Sequence, residues 1–204
     1  MNNLQEIIKK TGLKRILAVG CGVAVLLAIF YYSGLYTEFR GKMQSALLWS
    51  GQYDAKITTV EGPILSDHDY NLSLSTPNGQ QVELGEFKDN VLFVNIWASW
   101  CLPCIAEMPT IETLHDDVSD NKNIKFLLVS VDKKREKAIQ FMQSEDLPMP
   151  YYFPASGLPE PMKGTSIPTT YVISKEGQIV YQKRGMADYS STSFKEWMLK
   201  LAES

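Results

Sequence analysis

The pattern of apolar and polar positions changes character twice along the chain. From Ile16 to Tyr32 the run ILAVGCGVAVLLAIFYY carries no charge. Its 17 positions, at about 1.5 Å rise each, reach roughly 26 Å as a helix, enough to cross a bilayer. The next stretch places Tyr36, Phe39, Met43, Ala46 and Leu47 at spacings of three and four, which predicts a helical connector lying in the membrane interface or against the domain. Gly62-Pro63 and the polar run Ser66-Asp67-His68-Asp69 then punctuate the chain before a folded domain.

From Tyr70 short alternating runs take over. YNLSLS and QVEL, separated by Thr76-Pro77-Asn78-Gly79, predict a β-hairpin. Val91–Trp97 (VLFVNIW) and Ile124–Val131 (IKFLLVSV) are nearly continuous apolar runs, as expected of strands buried on both faces. A helix is expected from just after Cys101 to about Asp117, kinked or broken at Pro109, and another near Lys134–Ser144. After a segment rich in prolines (Pro148, Pro150, Pro154, Pro159, Pro161), a second hairpin joins TYVIS to QIVYQ. A last helix over Ser191–Ala202 puts Phe194, Trp197, Met198 and Leu201 on one face. Helices alternating with strands in the middle of the order imply a parallel core edged by antiparallel strands, an α/β fold. The expected partition is a cytoplasmic N-terminus and transmembrane anchor over 1–35, a connector over 36–69 and one domain over 70–204.

Charge adds direction to this picture. The chain sums to −3, but Lys9, Lys10, Lys14 and Arg15 against Glu6 make residues 1–32 positive by three, so the remainder carries −6. An acidic domain argues against a nucleic-acid partner. Basic residues ahead of the apolar run place the N-terminus in the cytoplasm and the domain outside it, on a single-pass anchor in the cytoplasmic membrane formed by residues 16–32. No small-x-small cleavage site follows the run, which favours an anchor over a removed signal peptide. Cys21, inside the run, reads as a small thiol in a membrane helix.

The two remaining cysteines stand in Trp97-Ala98-Ser99-Trp100-Cys101-Leu102-Pro103-Cys104, between a buried strand and the start of a helix. A sulfur at a helix N-terminus meets unpaired N–H groups and the positive end of the helix dipole, so its thiolate is stabilised and nucleophilic. Two intervening residues bring Cys104 back within one turn, where it can attack a mixed disulfide formed at Cys101. A zinc site would need further ligands, yet the chain holds only His68 and His115, not spaced as a pair. Haem attachment would need histidine where Ile105 stands. Peroxide chemistry of the peroxiredoxin type would favour a hydroxyl residue where Ala98 stands. Dithiol exchange without metal or cofactor is the remaining reading.

The hairpin ending NGQQVEL, the stretch VNIWASWCLPCIAEMP and Ser166-Ile167-Pro168-Thr169-Thr170 together resemble the thioredoxin superfamily, in particular its membrane-anchored extracytoplasmic TlpA-like and ResA-like branch. The resemblance covers about Tyr70 to the C-terminus. It implies a central mixed sheet flanked by helices, with an added N-terminal β-hairpin and one preceding transmembrane helix. It also implies that Pro168 is cis and faces the dithiol, leaving the backbone of Ile167 to pair with an extended substrate. Trp100, Leu102 and Pro103 would join Ile167 and Pro168 in binding substrate. Glu107 would be buried near the dithiol as proton acceptor for Cys104. Asn95 departs from the aspartate of many cytoplasmic thioredoxins, and an amide cannot exchange protons, so proton handling shifts to Glu107 or to water.

Strongly oxidising relatives tend to carry histidine at the position of Pro103, which stabilises the thiolate; proline does not. The chain is therefore read as a protein-disulfide reductase, with apocytochrome c as the leading substrate and a transmembrane thiol electron donor as partner, both implied by the resemblance. A disulfide-forming oxidase or isomerase is the alternative enzyme, and a redox-gated binding module the alternative outside catalysis.

Overall fold

The computed structural model describes residues 54–164 and 166–204, together with Gly22, Val23 and Val25. Apart from those three residues, the span expected over 16–32 lies outside the described residues, as does the helical part of the connector. Among the described residues no helix is long and apolar enough to cross a membrane. Leu48–Ser204 forms one compact unit.

Its elements run α1 (Asp67–Tyr70), β1 (Ser73–Ser75), β2 (Gln81–Glu83), β3 (Val91–Trp97), α2 (Leu102–Val118), β4 (Ile124–Ser130), α3 (Arg135–Ser144), β5 (Tyr151–Pro154), β6 (Thr169–Ile173), β7 (Ile179–Arg184) and α4 (Thr192–Glu203). The strands form one mixed sheet in the order β2-β1-β5-β4-β3-β6-β7. β3 pairs parallel with β4 from Val91↔Ile124 to Trp97↔Ser130, and antiparallel with β6 through Asn95↔Thr170. A central strand between these neighbours must be apolar on both faces, and all seven residues of β3 are buried.

Alternation along β3 feeds two cores. Phe93 and Trp97 join Ile111 and Leu114 of α2, Ala138 and Met142 of α3, and Phe194 and Met198 of α4. Phe93 stacks on Phe126 with ring centroids 4.9 Å apart and meets the edge of Tyr189 at 5.2 Å. Leu92, Val94 and Ile96 face the other way, where Tyr70, Leu74, Leu84 and Met162 cover them. The three long helices thus serve one face, whereas a one-turn helix, the β1–β2 region and the loop before β6 cover the other.

Three expectations change. The proline-rich segment contains a strand, β5, pairing parallel with β4 at Leu128↔Tyr151 and antiparallel with β1 at Ser75↔Phe153. It sews the first hairpin into the main sheet. The helix after Cys101 is continuous through Pro109, with no break. The ring removes only the bond that residue 109 would give to Ile105, and the packed face of Met108, Ile111 and Leu114 holds the turns on either side. Folded structure also begins before Tyr70. Val60 N–H donates to the carbonyl of Val180 at 2.9 Å, Gly62 to Ile179 at 3.0 Å and Leu65 to Gly177 at 2.9 Å, so this segment covers the open edge of β7. Gly62 permits the approach, since a Cβ there would lie 2.6 Å from the Ile179 oxygen.

Candidate active site

β3 ends at Trp97, and the chain leaves the carboxyl edge of the sheet through a turn closed by Cys101 N–H donating to the Ala98 carbonyl at 3.1 Å. Cys101 is the N-cap of α2, in extended conformation, and its Sγ accepts the backbone N–H of Cys104 at 3.3 Å. Sulfur here occupies the place that serine or aspartate oxygen takes in ordinary caps. Pro103, in the first turn, suits a position whose N–H would be unpaired anyway. Cys101 and Cys104 are joined as a disulfide. Cys101 is 5% exposed and Cys104 fully buried, so Cys101 is the more accessible of the two.

Glu107 lies one turn beyond Cys104 on α2 and is completely buried. Asn95, beneath it on β3, donates its side-chain amide to Glu107 Oε1 at 2.7 Å and to Thr170 Oγ1 at 2.9 Å. The N–H of Ala187 donates to Oε2 at 3.2 Å. Burial pushes the carboxyl up to about 8, against the lowering effect of the Asn95 and Ala187 hydrogen bonds. Thr110, the next turn, fastens the same loop by accepting the N–H of Tyr189 at 3.2 Å. The buried hydroxyls of Tyr181 and Tyr189 are pushed up in turn, Tyr181 to about 12, by burial first and with the nearby Glu107 charge adding to it.

Of the expected substrate contacts, Trp100, Leu102 and Pro103 adjoin the two cysteines in the chain, and Ile167 shares a groove with Trp100. Trp100 is 65% exposed and Leu102 44%, unusual for side chains of that size. Pro103 is exposed, Ile167 half-buried and Pro168 buried, and the Ile167–Pro168 peptide is cis. Trp100 and Ile167 line one groove of about 290 Å³ with Ile96, Val131, Leu158 and Met162. This lies at the small end for a small-molecule pocket. Neither the N–H nor the carbonyl of Ile167 has a hydrogen-bond partner among the described residues. Trp97 is core, fully buried against Phe141. Among the described residues no group of three or more His, Cys, Asp or Glu side chains is placed to hold a metal ion.

Two contributors escaped the sequence reading. Thr170 is anchored to Asn95 through the β3–β6 register, visible only once that pairing is known. Asp132, just past β4, binds Ser99 by two hydrogen bonds of 2.8 Å, and no short motif announces it.

A cysteine pair at a helix N-terminus, a buried carboxyl one turn on and a cis-proline loop bordering the same groove define a thiol-disulfide oxidoreductase of thioredoxin fold. The chain belongs to the redoxin family, whose model matches residues 55–195. It is 31% identical over 110 residues to the thioredoxin-like protein YneN of Bacillus subtilis, a match covering 53% of this chain and 65% of that protein. It is 24% identical over 150 residues to the thiol-disulfide oxidoreductase ResA of Bacillus thuringiensis, covering 73% and 85%. StoA of Bacillus subtilis shares the fold, with a TM-score of 0.51, 24% identity and coverage of 61% and 93%. So does a thiol:disulfide interchange protein of Chlorobium tepidum, with a TM-score of 0.53, 19% identity and coverage of 72% and 99%.

Proposed function

We propose that the chain is a membrane-anchored, extracytoplasmic reductase of protein disulfides. The observation that carries the reading is the asymmetry of the two sulfurs, Cys101 capping α2 with slight exposure and Cys104 fully buried one helical turn before the buried Glu107. In the reduced protein the Cys101 thiolate attacks a substrate disulfide, forming a mixed disulfide and releasing one substrate thiolate, which takes a proton from water. Cys104 passes its proton to Glu107 and attacks Cys101 Sγ. The mixed disulfide breaks, the second substrate thiolate leaves, and the disulfide form remains with Glu107 protonated.

Trp100, Leu102 and Pro103 present an apolar surface to the substrate, and the free backbone of Ile167 beside Pro168 pairs with its extended chain. The apolar run over 16–32, preceded by basic residues, supports an anchor with the dithiol outside the cytoplasm. Electrons then come from a transmembrane thiol donor. The likeness to the ResA proteins supports apocytochrome c, whose cysteines must be reduced before haem is attached, as the substrate.

Two measurements test this. A Cys104→Ala variant expressed in intact cells is expected to accumulate mixed disulfides with extracytoplasmic proteins, apocytochrome c among them. The dithiol is expected to be more reducing than about −200 mV, as in thioredoxin; a value near −120 mV, as in the strong oxidant DsbA, would reverse the assigned direction.

A further inference from the structure

Asp132 stands two residues beyond β4 and has no part in the exchange chemistry, yet its carboxylate accepts three hydrogen bonds at the site. Ser99 donates to it twice, through its backbone N–H to Oδ2 at 2.8 Å and through its hydroxyl to Oδ1 at 2.8 Å. Ser130 Oγ donates to Oδ2 at 3.0 Å, and Asp132 N–H donates back to Ser130 Oγ at 3.2 Å. No salt bridge among the described residues involves Asp132.

The place of these contacts gives them meaning. The β3–β4 ladder ends at Trp97↔Ser130, with one further bond from Val131 N–H to the Trp97 carbonyl at 2.9 Å. Beyond it the turn Ala98–Cys101 has a single backbone hydrogen bond of its own. Ser99 is inside that turn, two residues before the nucleophile and next to Trp100. Asp132 ties it to the end of β4 by a bidentate pair in which both donors come from one residue.

We infer that Asp132 is a positioning residue for the nucleophile, holding the Ala98–Cys101 turn so that Cys101 Sγ sits on the N-cap of α2 and Trp100 stands over the groove. The thiolate is stabilised by N–H groups only while it is aligned with them, and the helix-end effect falls off within one turn. Displacements of about 1 Å at remote supports can cost reaction rates on the order of a hundredfold.

Geometry and charge predict opposite behaviour, which makes the inference testable. An asparagine at 132 can keep every contact: its oxygen accepts from Ser99 N–H and Ser130 Oγ, and its amide donates to Ser99 Oγ, whose proton turns outward. Asp132→Asn therefore removes charge and keeps the clamp, whereas Asp132→Ala removes both. The full-length chain, reduced and freed of reductant, is alkylated with iodoacetamide from pH 5 to 10, and labelling of Cys101 is followed by peptide mass. Insulin reduction is measured in parallel.

Asp132→Ala is expected to move the pH midpoint of Cys101 labelling upward and to lower kcat/KM for insulin by about tenfold or more. Asp132→Asn is expected to stay at the wild-type midpoint or below it, with insulin reduction close to wild type. A loss of stability that leaves the protein folded across this pH range moves no thiol midpoint. Equal downward shifts in both variants would show a charge effect and overturn the inference, as would two unchanged midpoints. Should Asp132→Ala fail to fold, Ser99→Ala removes one arm and leaves the charge. It is expected to shift the midpoint upward by less, and an unchanged midpoint there would equally overturn the assignment.

Discussion

Asn95 donates its side-chain amide to the Glu107 carboxyl at 2.7 Å, and both groups are completely buried. Where many cytoplasmic thioredoxins have an aspartate in the strand, this chain has an amide that cannot titrate, so on the proposed reading proton handling falls to Glu107 or to water. Burial holds the Glu107 carboxyl at about 8, high enough for it to act as an acceptor of protons near neutral pH. The disulfide form, with the carboxyl protonated at neutral pH, is the state expected once Cys104 has given up its proton.

Glu107→Gln should therefore slow resolution of the mixed disulfide at pH 7 by on the order of a hundredfold, while the first attack by Cys101 is little affected. The defect should shrink as rising pH ionises Cys104 unaided. Stopped-flow reduction of a fluorescent disulfide substrate separates the two phases. Equal resolution rates in wild type and variant across pH 6 to 10 would leave Glu107 with a structural role only.

The same carboxyl makes stability depend on pH. Its folded value of about 8 lies above the ordinary glutamate value of 4.5, so the folded state holds a proton that the unfolded chain releases. This group's favourable contribution is complete below about 4.5 and is lost as pH rises through about 8. Melting of the disulfide form of wild type and Glu107→Gln, compared at pH 6 and pH 9, should show the difference moving in favour of the glutamine at the higher pH. A difference independent of pH would mean that the carboxyl is not held protonated.

The strongest signals in the sequence were those with a local physical cause. Val91–Trp97 is a strand buried on both faces and reads as one, and Cys101 and Cys104 stand, as expected, where that strand gives way to a helix. β5 did not read as a strand because Pro148, Pro150 and Pro154 crowd it, although Pro154 closes the strand rather than interrupting it. Pro109 looked like a break because propensity weighs the lost hydrogen bond and not the packing that holds α2 together. Asp132 and Thr170 reach the site through strand pairing, Asp132 from 33 positions past Ser99 in the chain. Spacing along the sequence carries no trace of such a contact.

The proposed membrane anchor and its orientation rest on Lys9, Lys10, Lys14 and Arg15 ahead of the apolar run. A thiol reagent that cannot cross membranes should label Cys101 of the reduced protein in intact cells, or after permeabilisation of an outer membrane where one exists. Labelling only after the cytoplasmic membrane is opened would place the dithiol on the other side.

The proposed direction of electron flow rests on Pro103. In the first turn of α2, one residue before Cys104 and exposed to solvent, proline adds neither charge nor N–H to the N-terminus that already stabilises Cys101. A histidine there would bring a cationic N–H near the sulfur. The thiolate would gain, and because the thiolate belongs to the reduced form, the reduced form would gain with it. Pro103→His should accordingly make the dithiol a stronger oxidant, shifting its potential upward against glutathione, with each roughly 30 mV corresponding to about a tenfold change in the exchange equilibrium. The pH midpoint of Cys101 alkylation should fall in the same variant, since both quantities report the same stabilised thiolate. A potential that rises while the midpoint stays in place would assign the effect to strain in the disulfide form rather than to the charge. If neither moves, Pro103 does not set the direction, and the argument for a reductase from this residue fails.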